Sequence, residues 1–96
     1  MDDKIMTLHP LGKTGVNISK AKYDQIRGAI LASIQENGEI GFSELTAVVT
    51  RRLEGSFDGS ITWYVTTVKL DLEARGEIER IPGTSPQMLR IAPQKS

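Results

Sequence analysis

The chain has 96 residues, 39% of them hydrophobic and 25% charged, and its twelve basic side chains are balanced by twelve acidic ones. This length supports a single hydrophobic core, and the composition excludes a disordered chain. Without cysteine there are no disulfides or thiolate metal sites, and no apolar run reaches the ~18 residues of a membrane span. The N-terminus MDDKIMTLHP also lacks the apolar segment of a secretory signal, so we expect a folded cytoplasmic protein.

Residues 1–18 are predicted to form an N-terminal arm without a helix. They contain the turn formers Pro10, Gly12, Gly15 and Asn17. This density of turn-forming residues favours an irregular or extended segment. The apolar residues of the arm show no helical period: Ile5, Met6, Leu8, Leu11, Val16 and Ile18.

The first predicted helix begins after Ser19, which we expect to cap its N-terminus. Apolar residues then recur every three or four positions, the period of one helical face, until Asn37 and Gly38 end the run. The residues of this stripe are Tyr23, Ile26, Ile30 and Ile34. The spacing predicts one buried face along the whole helix.

A second helix is predicted after GEIGF, a segment too short for more than one pair of strand residues. Ser43 is expected to cap this helix, and Glu54 and Gly55 are expected to close it. Its apolar stripe consists of Leu45, Val49 and Leu53. This stripe has the period of a helix that packs one face on the core.

The third predicted helix follows the turn GSFDGS, with Phe57 pointing inward, Asp58 or Ser60 as the cap, and its end at Arg75-Gly76. One face is expected to pack on the core: Ile61, Tyr64, Val65, Val68 and Leu72. The opposite, outer face carries Trp63, Thr67, Leu70 and Ala74, with Thr66 at its edge. A helix in a small domain normally needs one apolar face, so the outer face requires a function of its own.

After Gly76 the pattern changes to the alternation typical of strands, in EIERIP and QMLRIAP, which are joined by the turn sequence PGTSP. The predicted order is helix, short strand, helix, turn, helix and two-stranded hairpin. This is the order of a winged helix-turn-helix, in which the hairpin is the wing. The sequence therefore predicts a single α+β domain over residues 19–93, preceded by the arm.

Two long runs carry a family resemblance, HPLGKTGVNISKAKYDQIRGAIL and FDGSITWYVTTVKLDLEARGEIERIPGTSPQMLRI. They resemble a family of small bacterial proteins of unknown function assigned to the winged-helix type, and the resemblance extends from His9 to about Ile91. Within the second run, KLDLEARGEIER resembles the junction of recognition helix and wing in bacterial winged-helix regulators. The resemblance implies the fold and carries over no binding residue, because the family has no established activity.

Residues suited to catalysis are sparse. His9 is the one histidine and lies in a predicted loop, while Asp71 and Glu73 are two positions apart on a helix, where their side chains diverge. The run GKT at 12–14 lacks the upstream glycine of a phosphate-binding loop, since Thr7 stands at that position. We therefore expect no enzyme, no cofactor and no metal ion.

The first functional hypothesis is DNA binding in a regulatory role, with duplex DNA as the partner. The expected contacts are Lys13, Lys20, Lys22, Arg27, Thr62, Thr66, Lys69, Arg80 and Arg90. The cluster from Lys13 to Arg27 is opposed nearby only by Asp24. On the third helix two basic and two acidic residues cancel, which leaves that helix with no net attraction to phosphate.

The alternative hypothesis is a protein-interaction or homodimerisation module that does not bind DNA, with a second copy or another protein as the partner. Trp63 and Leu70 stand on the outer face where a DNA-reading helix has hydrogen-bond donors. Exposed Trp and Leu together are typical of protein interfaces. A further interpretation is that the arm covers this face. Covering by the arm or by a partner predicts that Trp63 is substantially buried.

Overall fold

The computed structural model of the chain describes residues 3–83 and 87–93. The elements in these residues are β1 (Lys4–Met6), β2 (Asn17–Ser19), α1 (Lys20–Asn37), β3 (Glu39–Gly41), α2 (Phe42–Leu53), α3 (Ile61–Ala74), β4 (Ile78–Arg80) and β5 (Met88–Ile91). This content of three helices and small antiparallel sheets confirms the α+β class. The finer assignment to the winged helix-turn-helix type stays a prediction.

The ends of α1 and α3 follow the capping signals of the sequence. The Ser19 side chain accepts a hydrogen bond from the Lys22 N–H, and Gly38, at a φ of 75°, ends α1. Ser60 caps α3 by accepting from the N–H of Trp63 at 3.2 Å. Of the two predicted caps for α3, Ser60 is therefore the one used.

The predicted cap of α2 is wrong. The helix begins at Phe42, directly after β3, and its N-cap is Gly41, which has no side chain to cap with. Instead, the N–H of Phe42 donates to the carbonyl of Gln87 at 3.1 Å. The chain leading into β5 thus satisfies one of the free backbone donors at the start of α2.

The core lies between the three helices and the sheet. The stripes predicted for the helices supply its buried members: Tyr23, Ile26, Ile30 and Ile34 of α1; Leu45, Val49 and Leu53 of α2; Val65, Val68 and Leu72 of α3. Phe57, Ile61 and Tyr64 are partly buried and pack against this core. The helical periods are therefore confirmed as the pattern of burial.

The C-terminal strands form an antiparallel hairpin, as predicted, but the sheet has a third strand. Its order is β3-β5-β4, so β5 is central and pairs with β3 as well as β4. β3 pairs along three residues, with Ile40 opposite Leu89, and the expectation of one residue pair is wrong. Both side chains are buried in the core, which explains why this short segment is held as a strand. Part of the predicted PGTSP turn, 84–86, lies outside the described residues.

Of the two forms predicted for the arm, irregular and extended, its two ends adopt the extended one. β1 and β2 pair antiparallel with Ile5 opposite Ile18, a pairing that the sequence did not predict. Ile18 is buried in the same cluster as the α1 stripe. The boundary expected after residue 18 therefore falls inside β2, and the arm packs as part of the domain.

Candidate functional site: the arm and the third helix

Asp71 on α3 is a fully buried carboxylate that joins three parts of the fold. It accepts hydrogen bonds from the N–H of Leu8 in the arm at 2.8 Å and from the hydroxyl of Tyr23 on α1. Nε of Arg75 donates to both of its oxygens, at 3.0 and 2.9 Å. This bond raises the pKa of Arg75 above its ordinary value. The carboxylate therefore anchors the arm to the helical core.

The segment between β1 and β2, residues 7–16, is the arm loop, and it is closed by Thr7 and Val16. The N–H of Thr7 donates to the carbonyl of Val16 at 2.8 Å, and the N–H of Val16 donates to Oγ1 of Thr7 at 2.9 Å. A Cβ at Gly15 would lie 1.8 Å from the carbonyl oxygen of Thr7, so only glycine fits there. Local bonds and a close backbone approach thus define the shape of the loop.

A cleft of about 170 Å³ separates the arm loop from the outer face of α3. On the arm side it is lined by Thr7, Leu8, His9, Thr14, Gly15 and Val16. On the helix side it is lined by Trp63, Thr67 and Leu70. This lining includes no Asp, Glu, Lys or Arg. The cleft is therefore suited to an apolar group rather than to an ion.

The large apolar side chains that are exposed in the described residues lie mostly on the arm, and three of the five line this cleft. The large hydrophobic residues that are exposed are Met6, Leu8, Leu11, Val16 and Trp63. Four belong to the arm, and the fifth stands on the outer face of α3. Such a concentration differs from the scattered single apolar residues of an ordinary surface.

The arm covers the outer face of α3 only in part. Thr67, Leu70 and Ala74 are partly buried and line depressions beside the arm, whereas Trp63 is 45% exposed. The prediction that the arm substantially buries this tryptophan is therefore wrong. Trp63 was expected to be buried either by the arm or by a partner, and only burial by a partner remains.

Most of the basic side chains expected to contact DNA are paired with carboxylates. At the start of α1, Lys20 pairs with Asp24 at 2.8 Å, and Arg27 pairs with Glu77. The expectation that Asp24 alone opposes this cluster is wrong, because the chain before β4 brings Glu77 beside Arg27. Lys22 lies over aromatic rings, 5.9 Å from that of Phe57 and 5.6 Å from that of Tyr64. Lys13 is exposed on the arm loop.

The remaining expected contacts are divided between a buried pair, the C-terminal hairpin and the start of α3. Lys69 is only 5% exposed, with Nζ 3.0 Å from Oε1 of Glu73, so it is not placed to reach a ligand outside. Arg80 lies 3.4 Å from the same oxygen of Glu73, and Arg90 pairs with Glu79. Thr62 and Thr66 are exposed. The two threonines are thus the candidates on α3 that face solvent.

The Tyr23 hydroxyl gives the anchor a predicted dependence on alkaline pH. The pKa of Tyr23 is raised well above its ordinary value. Burial is the largest cause, followed by the hydrogen bond from this hydroxyl to Asp71 and by the negative charge of Asp71. In the unfolded chain a tyrosine ionises at about pH 10. Tyr23 therefore contributes stability that is fully present below about pH 10 and is lost as the pH rises above it.

Thermal melts from about pH 9 to about pH 11 test this, with Tyr23→Phe as the control. Lysines titrate in the same range, so the quantity to compare is the difference between wild type and variant. We expect the advantage of wild type to shrink as the pH rises. Parallel pH profiles for the two proteins would contradict the assignment.

Sequence reasoning missed Asp71 as an anchor, although a signal was available. Asp71 lies on α3 directly beside the core stripe, next to Leu72, and one turn before Arg75. An acid at the edge of a buried stripe, with a cation four residues later, indicates a shielded ion pair. The spacing of Asp71 and Arg75 gives no indication that the N–H of Leu8, in the arm, also donates to this carboxylate.

The comparison with protein families covers most of the chain. A family model matches residues 4–89, from β1 into β5. The chain belongs to DUF6958, a family of unknown function. The DUF6958 match includes the arm, α1 and α3, so the anchor and the cleft lie within the matched residues. No curated protein and no solved structure matches the chain.

In residues 3–83 and 87–93, no three His, Cys, Asp or Glu side chains are grouped as a metal ion would require. No helix within those ranges combines the length and the hydropathy needed to cross a bilayer.

Proposed function

We propose that this protein is a non-enzymatic protein-interaction module, built on a winged helix-turn-helix, that binds one bulky apolar side chain of its partner in the cleft. The observation that carries the proposal is the set of exposed apolar side chains on the arm and at Trp63, three of which line a cleft without charged residues. Burying such a patch against a partner removes apolar area from water, and Trp is enriched among the residues that dominate binding energy.

Charge supports the same proposal. Five of the seven basic side chains considered for DNA contact, namely Lys20, Arg27, Lys69, Arg80 and Arg90, pair with carboxylates. Affinity for duplex DNA depends on cations that neutralise phosphates and release counterions. A cation already paired with a carboxylate contributes less to that release, and the chain has no net positive charge.

DNA binding in a regulatory role is the second candidate, and one observation favours it. The arm leaves Thr62 and Thr66, in the N-terminal half of α3, exposed. In a helix-turn-helix, the N-terminal residues of the recognition helix contact base edges in the major groove. Lys13 and Lys22 would then supply the phosphate contacts.

Selection from a random peptide library on the immobilised wild-type protein tests the proposal. We expect the enriched peptides to share one bulky apolar residue, and their binding to shift the emission of Trp63 to shorter wavelengths. Thr67→Phe fills the cleft and should weaken peptide binding at least about tenfold. Thr66→Phe is the matched control, because it makes the same change one position away, on a side chain outside the cleft lining.

A parallel selection with duplex DNA at about 150 mM salt decides between the two candidates. We expect only weak binding that falls steeply with salt. Tight binding of a specific duplex that is lost in Thr62→Ala and Thr66→Ala, together with no enriched peptide, would contradict the interaction module and favour DNA binding. Peptides that bind Thr67→Phe as well as wild type would likewise contradict the cleft as the site.

A further inference from the structure

We propose that the cleft is filled by Leu11 of a second copy of this chain, in a two-fold dimer in which each arm loop inserts into the cleft of the other copy. The inference rests on the proposed function, since it names the partner for the same cleft. The chain itself supplies both the projecting side chain and the site that receives it.

Leu11 is the projecting side chain. It is 72% exposed, more than any other exposed large hydrophobic residue in the described part of the chain. Its N–H donates to Nδ1 of His9 at 3.1 Å, and the N–H of Gly12 donates to the carbonyl of His9 at 2.9 Å. These bonds hold the loop in one turn. Leu11 is therefore presented by an ordered backbone, which lowers the entropy lost on binding.

The cleft has the size and chemistry to receive it. Its volume is about 170 Å³, and an engineered apolar cavity of about 150 Å³ is large enough to bind benzene. A leucine side chain fits into a space of this size. Trp63, Leu8 and Leu70 provide apolar walls, and no charged side chain in the lining would be desolvated without a partner.

Charge does not oppose the association of two copies. The cleft lining has no side chain that selects a charged ligand, and the whole chain has a formal net charge of zero. Two copies therefore approach without long-range repulsion. An uncharged apolar side chain on a neutral molecule matches an uncharged cleft.

Symmetry and area indicate how strong the contact is. A two-fold interface repeats each contact, so insertion of Leu11 occurs twice. A specific interface usually takes about one tenth of a small protein's surface from each partner. On the 5840 Å² of this chain, that share corresponds to roughly 1,200 Å² for two copies, the lower end of specific interfaces. We therefore expect a weak, reversible dimer with a dissociation constant of roughly micromolar to sub-millimolar order.

Light scattering of wild-type protein from dilute to millimolar concentration measures this dimer. Mass should rise with concentration, and the emission of Trp63 should move to shorter wavelengths over the same range. Leu11→Asp should raise the dissociation constant at least about tenfold. Its melting temperature should stay unchanged because the side chain is exposed. Leu11→Met, which keeps an apolar side chain of similar volume, is the matched control and should still dimerise.

Mixing two defective variants tests insertion itself. Leu11→Asp keeps an open cleft, and Thr67→Phe keeps an intact Leu11 but fills the cleft, so neither should form a homodimer. An equimolar mixture restores one of the two contacts. It should therefore associate more tightly than either variant alone and more weakly than wild type. If Thr67→Phe does not fold, Trp63→Arg, at an exposed edge of the cleft, takes its place.

Three results would overturn the inference: wild type that is monomeric at millimolar concentration, Leu11→Asp that dimerises like wild type, or a mixture that associates no better than its components. The first of these leaves the proposed function separately testable. Library peptides that bind the cleft of a strictly monomeric protein would support the interaction module while rejecting the second copy as its partner.

Discussion

Replacing Asp71 by alanine should lower the free energy of unfolding by about 3 kcal/mol, because it removes the shared acceptor of three donors. The Tyr23 hydroxyl is left in the interior without a partner, and the Leu8 N–H loses its acceptor. For a domain of this length, each kcal/mol lowers the melting temperature by roughly 4–8 °C. A fall of about 12–24 °C in a thermal melt is therefore the expected result.

Release of the arm should accompany the loss of stability in this variant. In wild type the N–H groups of Thr7 and Val16 are hydrogen-bonded within the arm loop. In Asp71→Ala these two amides should exchange with solvent faster than amides of the α1 core, because the loop has lost its tie to α3. Equal acceleration at both places would mean that the carboxylate supports the whole fold and not the arm in particular.

Tyr23→Phe is the matched control for the anchor. It removes one donor and leaves Asp71 bonded to Leu8 and Arg75, so it should cost about 1 kcal/mol. A double-mutant cycle between Tyr23→Phe and Asp71→Ala then isolates their interaction. Strict additivity of the two changes would show that the hydroxyl and the carboxylate do not stabilise each other.

Replacing Lys69 by methionine should also be strongly destabilising, by about 3 kcal/mol, although methionine suits a buried helical position. The side chain of Glu73 is only 7% exposed, and Nζ of Lys69 is its nearer cation, at 3.0 Å against 3.4 Å for Arg80. Lys69 also lies 4.9 Å from the centre of the Phe42 ring. The substitution leaves a buried carboxylate with a single, more distant cation, and chemical denaturation measures the loss.

Adding Glu73→Leu to Lys69→Met should restore most of that stability. The double variant buries two apolar side chains in place of an ion pair, an exchange that is often neutral or favourable. Arg80 is half-exposed, so its guanidinium returns to water at little cost. A single variant Lys69→Met with unchanged stability would show instead that the ammonium group reaches solvent, and would return Lys69 to the possible DNA contacts.

Much of the fold was predictable because its signals are local. The stripe from Tyr23 to Ile34 follows the helical period, and each of its four apolar members is buried. Ser19, Ser60 and Gly38 act at the helix ends as their residue types predict. Each of these features depends on residues within a few positions of one another, where spacing alone determines which side chains share a face.

The strand pairing of β3 and the burial of Lys69 were not predictable in the same way. Ile40 lies in a strand because Leu89, far along the chain, pairs with it and is buried in the same core. Lys69 lies next to the core stripe of α3, and whether it reaches solvent depends on Phe42 and Arg80 arriving from other elements. A lysine on a helix is usually exposed, but here the packing of other elements buries it.

The sequence by itself determined that α3 has two apolar faces and that its charges cancel once Arg75, directly after the helix, is included, since both properties belong to one short segment. Only the tertiary structure decided what the outer face does. The bond from Leu8 to Asp71 joins residues 63 positions apart, and it places the arm beside Thr67 and Leu70 while leaving Trp63 exposed. The cleft exists because two segments without a shared period meet there, so its shape and uncharged lining follow from long-range packing.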